Sequence, residues 1–160
     1  MKAAVLTVSD GVHAGVRDDA SGDALEDLLR GEGFEVTRRV VPDERDVIAD
    51  ALRELAGSSL LVMTTGGTGF APRDVTPEAT LSVLDREAPG IAEAIRVDAT
   101  ARTPHAVLSR GVAGLRGATL IVNLPGSTGG CRDGFAVLQP ALVHGLELAA
   151  GDTATSHRHT

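Results

Sequence analysis

Short apolar runs alternate with amphipathic segments along almost the whole chain. Ala3 to Val8 is apolar and partly β-branched and reads as a buried strand, ended by Ser9-Asp10-Gly11. Residues 11–20 carry Gly, His and charges and read as a surface loop. Ser21 is expected to cap a helix in which Ala24, Leu25, Leu28 and Leu29 recur at helical spacing, with Gly31 and Gly33 as its terminator. Phe34 to Val41 predicts a second strand, stopped by Pro42-Asp43-Glu44. Asp43 then stands at the head of a helix whose apolar face is Val47, Ile48, Ala51, Leu52 and Leu55.

Gly57-Ser58-Ser59 turns the chain into Leu60-Leu61-Val62-Met63, a third strand over 60–65. Glycines break it, and a helix restarts with Thr76 as cap and Pro77 in the first turn, where a missing N–H costs little. Its inward positions are Ala79, Val83 and Leu84. Pro89-Gly90 breaks the chain again before a helix from Ile91 to Ala101, with Ile91, Ala92, Ile95 and Ala99 inward. Residues 105–117, with three glycines, predict a short strand or hairpin. Leu120-Ile121-Val122 is another buried strand. A last helix carries Phe135, Leu138, Leu142, Leu146 and Leu148, and Pro140 is expected to kink or divide it. Strands alternating with helices predict an α/β fold, a three-layer sandwich with a mostly parallel central sheet. The expected organisation is one domain over 1–150 and a flexible tail over 151–160.

Composition narrows the chemistry. The net charge is −7, Lys2 is the single lysine, and three Phe are the whole aromatic complement. No basic block or aromatic platform is offered to nucleic acid. No lysine is available for an internal phosphate loop or a Schiff base. No apolar run nears the roughly 20 residues of a membrane span. The one cysteine, Cys131, fits a reducing compartment, and the expected location is cytoplasmic.

Two glycine-rich turns follow predicted strands. The first is Thr65-Gly66-Gly67-Thr68-Gly69, with Arg73 and Asp74 side by side beyond it. The second is Asn123-Leu124-Pro125-Gly126-Ser127-Thr128-Gly129-Gly130. Glycine lets successive N–H groups face one concavity, and a helix start favours an anion. Neither G-x-x-x-x-G-K-[ST] nor G-x-G-x-x-G is present, which sets aside the kinase-like and dehydrogenase-like fingerprints. In a parallel sheet Asp10, Asp43 and Asp74 would share the carboxyl edge, where carboxylates suit Mg²⁺. Plain alternatives stand beside each reading. The loops can be tight turns, Asp43 a helix cap, Asp74 a helix-start acid and Arg73 a surface ion pair. Cys131 near a helix start can have a lowered pKa, although a bystander thiol is the simpler reading. His157 and His159 read as solvated.

Thr65-Gly66-Gly67-Thr68-Gly69, continued by Arg73-Asp74-Val75-Thr76-Pro77-Glu78-Ala79-Thr80, closely resembles the signature of the molybdopterin-binding MogA/MoaB family of molybdenum cofactor biosynthesis. Matches recur in order at Ser9-Asp10, Asp19-x-Ser21-Gly22, Pro42-Asp43-Glu44, Pro89-Gly90, Leu108-Ser109-Arg110 and Asn123-Leu124-Pro125-Gly126-Ser127. The resemblance implies an α/β homotrimer. It implies Mg²⁺-ATP-dependent adenylation of molybdopterin with release of pyrophosphate, and hand-over of the product to a molybdate-inserting enzyme. It assigns Asp43 and Asp74 the catalytic role and Mg²⁺. It assigns substrate and nucleotide binding to Ser9, Asp10, Ser21, Gly22, Thr65, Gly66, Gly67, Thr68, Gly69, Arg73, Ser109, Asn123, Pro125, Gly126 and Ser127. Gly11 and Thr128-Gly129-Gly130 depart from the family pattern, so Cys131 and Arg132 are not carried over. A MoaB-like protein that binds molybdopterin without adenylating it stays open as the alternative.

Overall fold

The computed structural model describes residues 1–151. Its centre is one six-stranded sheet in the order β2-β1-β3-β6-β5-β4. The strands are β1 (Lys2–Val8), β2 (Glu35–Val41), β3 (Leu61–Thr65), β4 (Arg86–Glu87), β5 (Ala113–Arg116) and β6 (Thr119–Leu124). The helices are α1 (Asp10–His13), α2 (Ala20–Gly31), α3 (Arg45–Ala56), α4 (Thr76–Leu81), α5 (Pro89–Arg102) and α6 (Thr128–Ala149), with a 3₁₀ turn at Pro104–Leu108. The first four strands in that order run parallel, with registers such as Ala3↔Val36, Ala3↔Leu61 and Leu61↔Leu120. β5 and β4 are antiparallel additions at the far edge. The expected three-layer, mostly parallel α/β sandwich is the architecture found.

The pleat divides the core in two, because alternate side chains leave opposite faces of a strand. Ala3, Val5, Leu61, Met63, Leu120 and Val122 pack beneath α2 and α6, with Leu25, Leu29, Phe135, Leu138, Leu142 and Leu146. Ala4, Leu6, Val62 and Ile121 pack on the other face against α3 and α4, through Ile48, Leu52, Leu55 and Ala79. Central strands buried on both faces read as unbroken apolar runs, which is why β1 and β3 were legible.

The departures from expectation lie at element ends. Residues expected to be loop open with α1, whose N-cap Ser9 accepts from the Val12 N–H at 3.2 Å. The cap of α2 is Asp19 rather than Ser21, since the Asp19 carboxylate reaches the Gly22 N–H first (3.2 Å). α3 has Glu44, not Asp43, at its N-cap, with no side-chain bond. α4 is capped by Val75, which puts Thr76 inside the helix. Pro89 opens α5 instead of breaking the chain. Pro140 sits in one continuous 22-residue α6, on an exposed position, and does not divide it. Leu148 is half exposed rather than inward. Of the short strand or hairpin expected over 105–117, the structure has the short strand, β5, which pairs antiparallel with β6; β4, only two residues long, carried no readable period. Among the described residues no helix is long and apolar enough to cross a membrane. His157, His159 and all of the expected tail except Gly151 lie outside the described residues.

Candidate active site

Parallel strands deliver their carboxyl ends to one edge, so the segments after β1, β2, β3 and β6 meet there. Asp10 and Asp43 are locked together by reciprocal bonds. The Asp10 N–H donates to Asp43 Oδ2 (2.9 Å), and the Asp43 N–H donates to Asp10 Oδ1 (3.0 Å). Arg73 adds a two-pronged grip on Asp10, through Nε to Oδ2 at 2.6 Å and Nη2 to Oδ1 at 3.0 Å. Three loops are thereby tied at one point.

The two aspartates titrate in opposite directions. The Arg73 guanidinium, then the Asp43 N–H, hold the Asp10 carboxyl below its usual range. Burial pushes the Asp43 carboxyl up, and the neighbouring Asp10 and Asp74 charges push the same way. Asp10 is spent on internal contacts, while Asp43 keeps Oδ1 turned toward the glycine loop. A Cβ at Gly67 would lie 3.2 Å from that oxygen.

The loop 66–74 needs its first two glycines. Gly66 (φ +98°) and Gly67 (φ +69°) occupy the left-handed side of backbone space. A Cβ at Gly66 would stand 2.2 Å from Val8 O, and one at Gly67 2.2 Å from Thr76 Oγ1. Gly69 lies outside the left-handed region; its added Cβ would meet Asp74 Oδ2 at 2.9 Å. Thr76 ties helix to loop, donating through Oγ1 to Gly66 O (2.9 Å) and through N–H to Gly67 O (3.1 Å). Asp74 Oδ2 accepts from the Ala71 N–H at 3.0 Å, so this aspartate folds its own loop as well as facing the cradle.

Arg110 holds the loop from outside. Its Nε donates to Gly69 O (2.8 Å), its Nη2 to Asp74 O (2.6 Å), and its Nη1 pairs with Glu78. The Arg110 N–H also donates to Thr68 O at 2.8 Å. The sequence reading gave Arg110 no role, although it stood in the matched Leu108-Ser109-Arg110. Ser109, which was singled out, accepts from the Gly111 N–H at 3.3 Å and lines a neighbouring cavity.

The second loop touches the first. A Cβ at Gly126 would lie 3.4 Å from Gly66 Cα, and the Gly66 N–H donates to Leu124 O at 3.2 Å. Thr65 Oγ1 donates to Pro125 O (2.8 Å) and lies 2.9 Å from Ser21 Oγ. Ser127 caps α6, accepting from the Gly130 N–H at 3.1 Å. Gly22 is a packing necessity, because a Cβ there would meet Arg38 and the Asp19 carboxylate at 2.4 Å. Asn123 is buried: its Nδ2 donates to Thr64 Oγ1 and Thr80 Oγ1, both at 3.0 Å, and its Oδ1 accepts from the Val112 N–H. It pins β6 from inside. Cys131 is buried against Thr65 and Pro125, and burial pushes its thiol up to about 11, opposite to the lowering that a helix start suggested.

The amides of Gly67, Thr68, Gly69, Gly126, Ser127, Thr128 and Gly129 take no protein acceptor among the described residues. Together they form a cradle suited to anions. A groove of about 520 Å³ leads from Asp43 past Arg45 and Arg73. A more enclosed cavity of about 330 Å³ lies behind the second loop, against α5. No cluster of three or more His, Cys, Asp or Glu stands ready for a metal among the described residues. Two carboxylates beside an anion cradle fit Mg²⁺ as it is held with phosphates, by one or two carboxylates, water and the substrate's own oxygens.

The family described as "Probable molybdopterin binding domain" matches residues 4–144. The chain belongs to this molybdopterin-binding family. Within the family, the Escherichia coli (strain K12) protein named molybdopterin adenylyltransferase is 40% identical over 155 residues, 91% of this chain and 80% of that protein. The "Molybdenum cofactor synthesis protein cinnamon" of Drosophila melanogaster is 42% identical over 155 residues. That match takes in 94% of this chain but only 26% of the fly protein's length. The crystal structure of the molybdopterin biosynthesis enzyme MoaB from Thermus thermophilus superposes with a TM-score of 0.88 at 48% identity. It covers 94% of this chain and 96% of that one.

Proposed function

We propose that this chain transfers the adenylyl group of ATP to the terminal phosphate of molybdopterin. The observation that carries the reading is the pair of carboxylates, Asp43 and Asp74, facing one cradle built from both glycine loops. The names of relatives covered over most of their length support it. In the step, a phosphate oxygen of molybdopterin bonds to the α-phosphorus of ATP, the α–β bridging bond breaks, and pyrophosphate leaves with its electron pair. No covalent nucleophile or strong base is needed. Two polyanions must be aligned and their charge balanced.

The loop amides of 66–69 and 126–130 bind phosphate oxygens. Arg73, held at the rim by Asp10, and Arg45 balance the charge of the departing pyrophosphate. Asp43 and Asp74 would hold Mg²⁺ or its water ligands, and the ion would supply charge neutralisation for the leaving group. Ser9, Asp10, Ser21, Gly22, Thr65 and Asn123 act by shaping the loops. Ser109 and Pro125 border the cavity behind them. We further place the reaction in the cytoplasm, consistent with one free buried thiol. We read the active form as a homotrimer that hands its product to a molybdate-inserting enzyme. Exposed Val97, Val107 and Leu108 supply apolar surface for association.

The test is Mg²⁺-dependent formation of adenylyl-molybdopterin from ATP. Asp74→Asn is expected to lose at least about 100-fold in rate while keeping the wild-type unfolding midpoint. Wild-type turnover by that variant would exclude the metal role. A second reading, molybdopterin binding without adenylation, is favoured by Thr128-Gly129-Gly130, which departs from the family pattern in the second loop. Pterin binding with no ATP-dependent product would decide for it.

A further inference from the structure

A cradle of amides works only if the peptide planes that carry them are held, and the first glycine loop is held in two parts. We propose that Arg110, without touching either substrate, is a positioning residue for the transfer step: its grip aims the Gly69 N–H into the cradle and sets Asp74 beside it. The role in transfer rests on the adenylation reading.

In a trans peptide the C=O and the following N–H point in opposite directions, so a bond to one aims the other. Thr76 sets the first two planes. Its Oγ1 holds Gly66 O and its N–H holds Gly67 O, so the amides of Gly67 and Thr68 face away from Thr76. The next plane belongs to Arg110, whose own N–H holds Thr68 O at 2.8 Å and turns the Gly69 N–H the other way. Its guanidinium continues the grip, on Gly69 O (2.8 Å) and Asp74 O (2.6 Å). Among the described residues no other group holds the carbonyls of Thr68, Gly69 and Asp74. Between Gly69 and Asp74 the chain makes only its own turn, with the Asp74 N–H on Ala71 O (2.9 Å) and the Ala71 N–H on Asp74 Oδ2 (3.0 Å). That turn fixes Asp74 against Ala71. One guanidinium ties the turn to the glycines.

The brace is itself anchored. Arg110 lies between the 3₁₀ turn and β5, in neither a helix nor a strand. Arg96 on α5 holds the carbonyls on either side of it, donating through Nη1 to Ser109 O (3.2 Å) and Gly111 O (2.8 Å). Glu78, in the first turn of α4, accepts from Arg110 Nη1. Arg110 holds the Glu78 carboxyl below its usual range, so the pair stays charged at neutral pH. The acceptors thus lie on three different nitrogens of one guanidinium, and two of them are neutral carbonyls. Such a set requires a rigid planar fork of donors more than it requires charge. A lysine amine supplies the charge without the fork.

The test compares Arg110→Lys with the wild type in two assays. In hydrogen exchange on the ligand-free chain, the amides of Ala71, Asp74 and Thr76 should exchange about tenfold faster, while those of β3 keep their wild-type rates. In Mg²⁺-dependent adenylation, kcat should fall about tenfold or more. KM for ATP should stay within about threefold, because Thr76 still aims two of the three amides. Glu78→Ala removes one acceptor and leaves the fork; it should shift exchange and kcat the same way by a smaller factor, and it decides the matter if Arg110→Lys does not fold. Wild-type exchange and kcat overturn the brace and leave adenylation standing. So does a loss carried by KM for ATP, or exchange that rises equally in β3, which marks a general loss of stability. The exchange assay needs no substrate and judges the grip by itself. A wild-type protein that forms no adenylyl-molybdopterin overturns the adenylation reading, and with it the role of Arg110 in transfer.

Discussion

Asp43 carries a conflict between folding and chemistry. Burial holds its proton to higher pH in the folded chain than in the unfolded one. That preference favours the fold below the ordinary carboxyl value of 3.8 and is lost as pH rises through the folded value. At neutral pH the ionised group is therefore a burden on the native state. Asn at this position still accepts from the Asp10 N–H. Asp43→Asn is expected to raise the urea midpoint at pH 7 and to lose that advantage toward pH 3, while abolishing adenylation. A midpoint unchanged at pH 7 would contradict this account. Asp10 has the opposite sign: its contribution, owed first to Arg73, is present above the ordinary carboxyl value and lost as pH falls through the lowered one. Gly67→Ala forces a side chain into left-handed backbone and against Thr76, and should cost about 2 kcal/mol or more in chemical denaturation. The three aspartates were legible as neighbours because each follows a parallel strand. The grip of Arg73 on Asp10 was not, because 63 residues separate the pair and the intervening loops set their approach.

Elements were legible where one period dominated. β1 and β3 are buried on both faces, and α2 and α3 keep a clean apolar stripe. Signals failed at the ends, where several polar residues compete for one orphan amide: Asp19 prevailed over Ser21 because its carboxylate reaches the Gly22 N–H. Pro140 was expected to kink or divide the last helix because it lacks an N–H; it does not divide it, and packing on both sides carries α6 through it. The defect is local and solvent-facing, so Pro140→Ala should stabilise the protein by about 1–3 kcal/mol, measured by thermal or urea unfolding. Asn123 is the converse case. The loop motif suggested a ligand contact, but its side chain joins β6 to Thr64, Thr80 and Val112. Asn123→Ala should cost about 2–4 kcal/mol in the same assay.

For the whole molecule, strand–helix alternation specified the layers and the parallel centre, and so the edge at which ligands gather. Periodicity could not give strand order, which depends on how crossovers pack. One consequence of that order concerns time rather than geometry. β3 and β6 are neighbours, with Leu61 opposite Leu120, 59 positions later in the chain. Closing so long a loop is entropically slow, and parallel pairing at a distance retards folding. Pairing of β1 with β3 supplies only part of the first glycine loop's framework: its bond to Leu124 and its bracing by Arg110 come with β6 and the segment before β5, and the second loop has no platform until β6 docks. In a stopped-flow refolding experiment, the far-ultraviolet signal should recover ahead of the ability to bind a nucleotide. The chain acquires a fold-like outline before it acquires a cradle.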